Sequence, residues 1–453
     1  MTLEQFFAAA SDFIWGMPLL VLLLGGGFFF MVYSRFLPFR YFRHAVNVLR
    51  GKYDDPDDPG DINHFQALSG ALAATIGMGN ISGVALAIFA GGPGAIFWMW
   101  VSAFFGMATK FFTCTLSVMY RGPDSEGELQ GGPMYYIREG LGKNWMPLAI
   151  FFSVVGFFGA TPVFQANQMV VVIRDVFLEP YGLAFKDQFF TDLTVGLVIA
   201  VLVAAVILGG IKRIGNVASK LVPAMVLLYT GSVVLILLLN YAEVIPSFLF
   251  IIEDAFSAKA ALGGAFGMIV IEGAKRAAFS NEAGIGTAPM MHGAAKTKEP
   301  VREGLVAMLG PAIDTLVICT MTGLCIIITG VWNSGEANGI LLTASAFAKS
   351  LPGFGPIILL ICVIIFAITT VFGLAYYGQK CLSFLIGVRY GRLFNYWYIA
   401  LIIVGSVSSL SMVVNIVFVA YGLMSIPTMI GAIMLAPKVV RASRAYFSQV
   451  VEK

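Results

Sequence analysis

Residues 67–92, ALSGALAATIGMGNISGVALAIFAGG, place glycine and polar side chains at the centre of an otherwise apolar run. Glycine is less favourable than alanine in a helix by up to about 1 kcal/mol, so this centre predicts a helix that is locally unwound. At such a break, freed N–H groups can bind an anion and freed carbonyl groups can bind a cation. The central residues are Thr75, Gly77, Met78, Gly79 and Asn80. The alternative is that the glycines only allow helices to pack closely.

A second interruption is expected within residues 260–284, AALGGAFGMIVIEGAKRAAFSNEAG, because charged residues follow an apolar run there. Charge at membrane depth is costly and often marks a transport pathway. We predict a second broken helix, with Glu272 and Gly273 in its middle. Lys275 and Arg276, which follow, have an alternative interpretation as the cytoplasmic end of a helix.

Two adjacent threonines, Thr369 and Thr370, interrupt the apolar stretch FAITTVFG at residues 366–373. Their hydroxyl groups, combined with carbonyl groups of a facing broken helix, would form an oxygen cage without a fixed negative charge. Oxygen ligands of this kind suit a hard cation such as sodium. The alternative is that both hydroxyl groups bond to carbonyl groups one turn earlier in their own helix.

Three side-chain amides, those of Gln165, Asn167 and Gln168, lie in the apolar stretch GATPVFQANQMVVV. Polar groups at membrane depth need partners. Gln168 is therefore a candidate contact for the amine or the carboxylate of a zwitterionic substrate. It is equally a candidate for a hydrogen bond that joins two helices.

The composition indicates which elements position these residues. Of 453 residues, 58% are hydrophobic and 12% are charged, and the mean hydropathy is +0.87. Soluble chains carry about 25% charged residues, so a soluble enzyme, a disordered protein and a nucleic-acid-binding protein are excluded. The sequence also lacks a GxxxxGK[ST] phosphate loop, an HExxH motif and a GxSxG motif. We therefore expect no enzyme activity and no organic cofactor.

Apolar runs between charge clusters predict eleven membrane-spanning helices. Their approximate bounds are 13–34, 65–90, 94–119, 146–174, 191–210, 215–239, 260–282, 303–331, 355–379, 393–410 and 412–435. Most lysines and arginines fall in alternate connections, and basic residues collect in cytoplasmic loops. We therefore predict a multi-pass protein of the cell membrane with its N-terminus outside and its C-terminus in the cytoplasm.

The two interrupted helices occupy matching positions in the chain. Five predicted spans lie in residues 65–239 and five more in residues 259–435, and each block begins with its broken helix. Because five is odd, the second block must be inverted relative to the first, as in secondary transporters with a central binding site. The remaining parts are an extra N-terminal helix with a cytoplasmic loop (1–64), an extracellular connection (240–258) and a cytoplasmic tail (436–453).

Three blocks of sequence are distinctive: GGPGAIFWMWVSAFFG at residues 91–106, SNEAGIGTAPMMHGAAK at residues 280–296, and GMGNISGV in the first interrupted helix. Through them the whole chain resembles the alanine or glycine:cation symporter family, also called the sodium:alanine symporters. That family is similar to the leucine-transporter (LeuT) fold, in which ten core helices form two inverted five-helix repeats. The resemblance implies an all-α membrane protein with a LeuT-like 5+5 inverted repeat, two broken helices and one extra N-terminal helix.

The resemblance also implies a substrate site between the two broken helices. The amides around Met78 and Gly79 would bind the substrate carboxylate, and a break from Ile271 to Gly273 would close over the substrate. The predicted substrate-binding residues are Thr75, Gly77, Met78, Gly79, Asn80, Gln168, Ile271, Glu272 and Gly273.

A sodium site is implied next to the substrate. Its ligands would be the carbonyl groups of Ala73, Ile76 and Phe366 and the hydroxyl groups of Thr369 and Thr370. Thr75 and Asn80 correspond to a second ion position in relatives with this fold. Those relatives are uncharged where this chain has Glu272, and this departure makes Asn80 an alternative substrate contact.

The residues and the resemblance together predict a sodium-coupled symporter that imports small neutral amino acids, alanine and glycine, by alternating access. One alternative is a proton-coupled transporter with Glu272 as the proton site, and a more distant one is an ion channel. The expected partners are the amino acid, sodium as coupling ion and membrane lipid. Nucleic acid and an obligate protein partner are not expected.

Overall fold

The computed structural model describes almost the whole chain, namely residues 2–257, 265–333 and 339–451. Most of these residues are helical, and a two-stranded antiparallel sheet joins Gly122–Pro123 to Leu129–Gln130. The predicted start of the seventh span, residue 260, and that of the second block, residue 259, lie outside the described residues.

The helices of the first half are Leu3–Ile14, Met17–Leu20, Val21–Gly25, Gly26–Tyr33, Leu37–Arg40, Phe42–Leu49, His64–Thr75, Gly79–Gly83, Val84–Gly91, Gly94–Met119, Pro133–Leu141, Lys143–Trp145, Met146–Gly159, Val163–Ile173, Arg174–Leu178, Gln188–Ile207 and Gly210–Leu239. Those of the second half are Tyr241–Ala255, Ala265–Asn281, Thr287–His292, Pro300–Ala307, Leu309–Pro311, Ala312–Cys319, Thr320–Thr329, Val331–Asn333, Gly339–Ser350, Gly355–Ile386, Val388–Gly391, Phe394–Ser406 and Leu410–Val451.

Seven of the described helices are long and apolar enough to cross a membrane, or up to nine if each of two bent pairs counts as one span. The bent pairs are Leu3–Ile14 with Met17–Tyr33, at 51°, and His64–Thr75 with Gly79–Gly91, at 53°. Two more predicted spans correspond to Ala265–Asn281 and Phe394–Ser406, which have 17 and 13 residues. A helix needs about 20 residues to cross a bilayer. The structure thus confirms a multi-pass helical protein, and the count of eleven spans stays a prediction.

The first predicted break is confirmed. The helix His64–Thr75 ends before Ile76, which is extended with φ −71° and ψ 95°. Asn80 stabilises the turn, because its side-chain oxygen accepts a hydrogen bond from the N–H of Gly77 at 2.9 Å. We call residues 64–91 the first broken helix.

The predicted position of the second break is wrong. Ile271, Glu272 and Gly273 lie inside one continuous helix, Ala265–Asn281. Gly273 serves close packing instead, because a Cβ atom there would lie 2.5 Å from the Cβ atom of Trp98. The substrate contacts predicted for these three residues therefore lose their structural basis.

The second break lies just after this helix. Glu282, Gly284 and Gly286 have positive φ angles of 55°, 86° and 103°, a region in which glycine is free of the steric penalty that other residues meet. The short helix Thr287–His292 follows. We call residues 265–292 the second broken helix.

The predicted fourth span is also interrupted, which the sequence did not suggest. Helix Met146–Gly159 ends before Ala160, and a new helix, Val163–Ile173, begins after Pro162. Proline has no N–H group and is tolerated where a helix starts. The second of these helices carries the three amide side chains.

Packing brings the two breaks together. Helix Gly355–Ile386 lies against the first broken helix so closely that a Cβ atom on Gly373 would come 2.6 Å from the Cβ atom of Ala74. On the other side, the residues after the first break pack against Ala265–Asn281. The interior between these helices contains the first break and Thr370, which lies against Gly77.

Candidate functional site

The threonines predicted to bind sodium face the first break. Thr370 is buried against Gly77, and a Cβ atom on that glycine would overlap the Thr370 hydroxyl oxygen. Thr369 and Thr370 donate hydrogen bonds to the carbonyl groups of Ile365 and Phe366, each at 2.9 Å. This is the intrahelical bonding that was the alternative interpretation. A hydroxyl oxygen that donates its hydrogen keeps its lone pairs, so these residues still fit a cation, and their ligand role stays a prediction.

Two of the three predicted carbonyl ligands, Ala73 and Ile76, lie at the end of the helix before the break, and the third, Phe366, lies inside helix Gly355–Ile386. Ala73 and Ile76 are 1% and 0% exposed, and carbonyl groups in the last turn of a helix lack partners one turn further on. Thr75 lies between them, and its hydroxyl group donates to the carbonyl group of Ala71 at 3.1 Å. Main-chain oxygen is therefore concentrated beside Thr370.

A buried carboxylate that the predicted site did not include joins the two broken helices. Asp314 is fully buried and accepts hydrogen bonds from Asn80, Ser280 and Thr315, each at 2.7 Å. Asn80 belongs to the first break, and Ser280 lies in the last turn before the second. A signal was present in the sequence, since Asp314 is the only acidic residue within 304–331 and charge at membrane depth is costly.

Glu282 holds the second break in shape. Its carboxylate accepts hydrogen bonds from the hydroxyl group of Tyr421, at 2.8 Å, and from that of Thr287, the first residue of the short helix. Glu282 is itself buried and has a left-handed backbone. These contacts explain how a non-glycine residue is kept in a conformation that side chains disfavour.

Aromatic rings border the two breaks. The ring of Phe279 lies between those of Phe164 and Phe418, with centroid distances of 5.0 and 5.4 Å. A Cβ atom on Gly79 would lie 3.1 Å from the Cα atom of Ser280. The breaks therefore approach each other through small residues, with bulky apolar rings beside them.

Gln168 makes helix-joining hydrogen bonds. Its side-chain oxygen accepts from the hydroxyl group of Ser82 at 2.6 Å and from the N–H of Ile340 at 3.2 Å, and its nitrogen donates to the side-chain oxygen of Asn167 at 2.9 Å. The side-chain oxygen of Gln165, one turn away, is buried without a hydrogen-bond partner among the described residues. The structure thus brings Gln168 to the first broken helix, and its substrate contact stays a prediction.

Glu272 is paired with a neighbouring cation. Its carboxylate lies 3.2 Å from Nε of Arg276, one turn further along the same helix. Lys275 and Arg276 also lie over the ring of Phe418, at 4.6 and 4.8 Å from its centroid, and Lys275 is 4.0 Å from Asp12. These charges form one cluster, apart from the second break.

A third buried carboxylate, that of Glu303, joins the far ends of the broken helices. Glu303 is hydrogen-bonded to Nδ1 of His64, which begins the first broken helix, and at 2.5 Å to Nδ1 of His292, which ends the second. Arg121 adds a clamp by donating to the carbonyl group of Gly293 at 2.8 Å. Burial lowers the pKa of the Arg121 guanidinium group, which nevertheless stays protonated at neutral pH.

Comparison with known proteins identifies relatives of the chain. The family described as the sodium:alanine symporter family matches residues 1–453. The chain is 42% identical to the sodium/alanine symporter AgcS of Methanococcus maripaludis over 443 residues, which cover 96% of this chain and 95% of AgcS. It is 33% identical to the probable sodium/glutamine symporter GlnT of Bacillus subtilis, with 99% of this chain and 91% of GlnT covered.

A solved structure shows the fold. The chain is similar to MhsT in complex with L-phenylalanine, with a TM-score of 0.60, 12% sequence identity, and coverage of 84% of this chain and 98% of MhsT. MhsT is a transporter with the LeuT fold, so the predicted fold class is confirmed at that level. The chain is a multi-pass membrane transporter, as predicted, and it belongs to the sodium:alanine symporter family.

Proposed function

We propose that this protein imports small neutral amino acids, alanine and glycine first, together with sodium, by alternating access. The proposal rests on the junction of the two breaks through Asn80, Asp314 and Ser280. Polar main chain and a carboxylate meet there inside a helical bundle, which is where secondary transporters of this architecture bind substrate and ion. Family membership and the relatives described as sodium symporters support sodium as the coupling ion.

We place the substrate carboxylate on the amides of Met78 and Gly79. Both residues lie in the first turn after the break, where N–H groups have no carbonyl group one turn earlier in the helix. The close approach of Gly79 to Ser280 favours a substrate with a small side chain. On the second broken helix, we transfer the predicted substrate contacts from Ile271–Gly273 to residues around the observed break.

We place the coupling sodium between the carbonyl groups before the first break and the Thr369–Thr370 pair. The absence of a side chain on Gly77 leaves room directly beside the Thr370 hydroxyl group. Asp314, which accepts a hydrogen bond from Asn80 of the first break, adds a carboxyl group that the predicted all-neutral cage did not include.

The transport cycle we propose uses two inverted repeats, residues 65–239 and 259–435. The broken helices that head the repeats change their contacts between outward-open and inward-open states. Sodium shifts this equilibrium only through a difference in affinity between the states. The N-terminus lies outside and the C-terminus in the cytoplasm, in accord with the distribution of basic residues.

The decisive experiment is uptake of labelled alanine by proteoliposomes with an imposed sodium gradient at clamped pH. We expect uptake to follow the sodium gradient and to be suppressed by unlabelled alanine or glycine. Uptake that is independent of sodium and driven by a pH gradient would overturn the proposal in favour of proton coupling. The Glu272–Arg276 pairing does not favour that alternative.

Replacing both Thr369 and Thr370 with valine is expected to raise the sodium concentration for half-maximal alanine binding by about tenfold, equivalent to about 1.4 kcal/mol. Valine has nearly the shape of threonine but no oxygen, so a cation would lose two ligands. The measurement is a sodium titration of alanine binding to purified protein. The matched control is Thr343→Val, a buried threonine outside the proposed cage; equal shifts in both variants would assign the effect to packing.

Replacing Gln168 with alanine is expected to weaken alanine binding several-fold while leaving the amount of folded protein in the membrane unchanged. The change removes the acceptor for Ser82 and Ile340, and a lost buried hydrogen bond costs about 1–3 kcal/mol. Isothermal titration with alanine at saturating sodium measures the affinity. Unaltered affinity together with lowered thermal stability would show that the amide only joins helices.

A further inference from the structure

A basic pocket lies at the surface, and none of its lining residues belongs to either broken helix. It has a volume of about 630 Å³ and is formed where the end of the Met17–Tyr33 segment meets the last helix, Leu410–Val451. Three arginines, Arg35, Arg40 and Arg444, line it, and none of its lining residues among those that the structure describes is acidic. Nothing in the proposed transport site uses this pocket.

The three guanidinium groups have no carboxylate partner in the part of the chain that the structure describes. None of Arg35, Arg40 and Arg444 forms an ion pair with any residue that the structure describes, and all three are exposed. By contrast, the exposed Arg138 pairs with Glu139 at 2.7 Å. Three converging unneutralised arginines favour an anion with several oxygen atoms, because guanidinium groups match phosphate geometry.

The backbone builds this convergence at a conformational cost. Arg35 and Phe36 both have φ of 56°, a left-handed conformation that is uncommon for residues other than glycine. The chain reverses there, since the N–H of Phe36 donates to the carbonyl group of Met31 at 2.9 Å. The helix Leu37–Arg40 follows directly and brings its arginine back to the pocket. Strain of this kind is typical of functional positions.

Apolar side chains beside the pocket indicate what carries the anion. Val32, Phe36, Phe39 and Phe42 are 47%, 47%, 43% and 42% exposed. In a membrane protein such a surface faces acyl chains. A ligand with its phosphate on the arginines and its hydrocarbon against these residues is a phospholipid rather than a soluble ion.

We propose that this pocket binds the phosphate of an anionic phospholipid. Basic residues next to a membrane helix attract anionic lipids on the cytoplasmic side, and the predicted orientation puts this pocket on that side. The rings of Tyr41 and Phe447 stack with centroids 3.5 Å apart at the pocket wall. The bound lipid therefore fastens the extra N-terminal helix to the last helix.

The test compares lipid binding in the double variant Arg35→Gln/Arg444→Gln with that in Arg441→Gln. Arg441 is exposed on the same helix as Arg444, one turn away, but does not line the pocket. Purified full-length protein in phosphatidylcholine nanodiscs is titrated with phosphatidylglycerol, and bound lipid is counted by native mass spectrometry. We expect the wild type and Arg441→Gln to retain the anionic lipid and the double variant to retain at least about fivefold less.

A parallel arm replaces the lipid by inorganic phosphate. We expect phosphatidylglycerol to raise the unfolding temperature of the wild type and phosphate to leave it unchanged. Equal loss of lipid in Arg441→Gln would assign the effect to general surface charge and overturn the proposal, as would stabilisation by phosphate alone. If the double variant fails to fold, the single variant Arg40→Gln replaces it, provided that its unfolding temperature in phosphatidylcholine equals that of the wild type. Less bound phosphatidylglycerol in this variant than in the wild type would support the proposal, and an equal amount would overturn it.

Discussion

Replacing Gly77 with alanine is expected to abolish most sodium-dependent alanine uptake. The added methyl group would overlap the Thr370 hydroxyl oxygen, so either the first break or helix Gly355–Ile386 must move. Overpacking a buried site costs about 1–3 kcal/mol. Because that cost falls where the sodium site is proposed, it should lower the apparent affinity for sodium by about tenfold or more. Sodium titration of alanine uptake in proteoliposomes measures the effect.

Two companion variants separate ion binding from packing. Gly231→Ala places a methyl group in a helix where, apart from the helix's own nearby backbone and the two chain neighbours, no heavy atom of the described residues lies within 4 Å, so its uptake should equal that of the wild type. Gly77→Ala combined with Thr370→Ala removes the overlap and should regain thermal stability. If the Thr370 oxygen is a sodium ligand, the double variant will nevertheless remain insensitive to sodium. Recovery of both stability and sodium dependence would show that the hydroxyl group binds no ion.

The first break was predictable because its cause is local. Gly77 and Gly79 weaken the helix, and the side chain of Asn80 bonds to the N–H of Gly77 within the same turn. A short sequence window contains all of these groups. The composition was likewise enough to predict a helical membrane protein, and the LeuT-like fold class followed from the resemblance of three sequence blocks to a known family.

The second break was predicted at the wrong position because charged residues that are stabilised by packing contacts were taken as a sign of local unwinding. Glu272 and Arg276 suggested an interruption on the ground that charge in lipid is costly. In the structure they pair with each other, and Arg276 lies over Phe418, so a continuous helix accommodates them. Gly273 makes room for Trp98, a neighbour in space that no local pattern reveals. The true break has its own signal in the closely spaced Gly284 and Gly286.

The roles of isolated polar residues depend on partners distant in the chain. The sequence allowed two roles for Gln168, substrate contact and helix joining. Its hydrogen-bond partners, Ser82 and Ile340, are 86 and 172 residues away in the chain. The sequence also allowed two roles for Thr370, sodium ligand and intrahelical donor, although its hydrogen-bond partner, Phe366, is only one turn away. Sequence spacing identifies such residues as candidates, whereas assigning their partners requires the packed structure.

Asp314→Asn is expected to raise the sodium concentration for half-maximal binding by about tenfold or more while the protein still folds. Asparagine keeps the size of the side chain but removes the negative charge of Asp314 from the junction of the breaks. Hydrogen bonds to a charged group contribute about 1.5–3 kcal/mol, and the donors here, Asn80 and Ser280, belong to different broken helices. Losing the charge should therefore weaken both the cation site and the coupling between the helices. Sodium-dependent alanine binding and unfolding temperature are measured on the same preparation.

Asp314→Ala should lower the unfolding temperature more than Asp314→Asn does. The alanine variant leaves the donors of Asn80, Ser280 and Thr315 without an acceptor, and each buried unsatisfied group costs about 1–3 kcal/mol. Asp12→Asn is the matched control, since the Asp12 side chain is 82% exposed, and it should bind sodium and alanine as the wild type does. If Asp314→Asn retains wild-type sodium dependence while Asp314→Ala unfolds, the carboxylate serves only to join the helices. The ion must then be held by neutral oxygen atoms alone, as the all-hydroxyl and carbonyl cage requires.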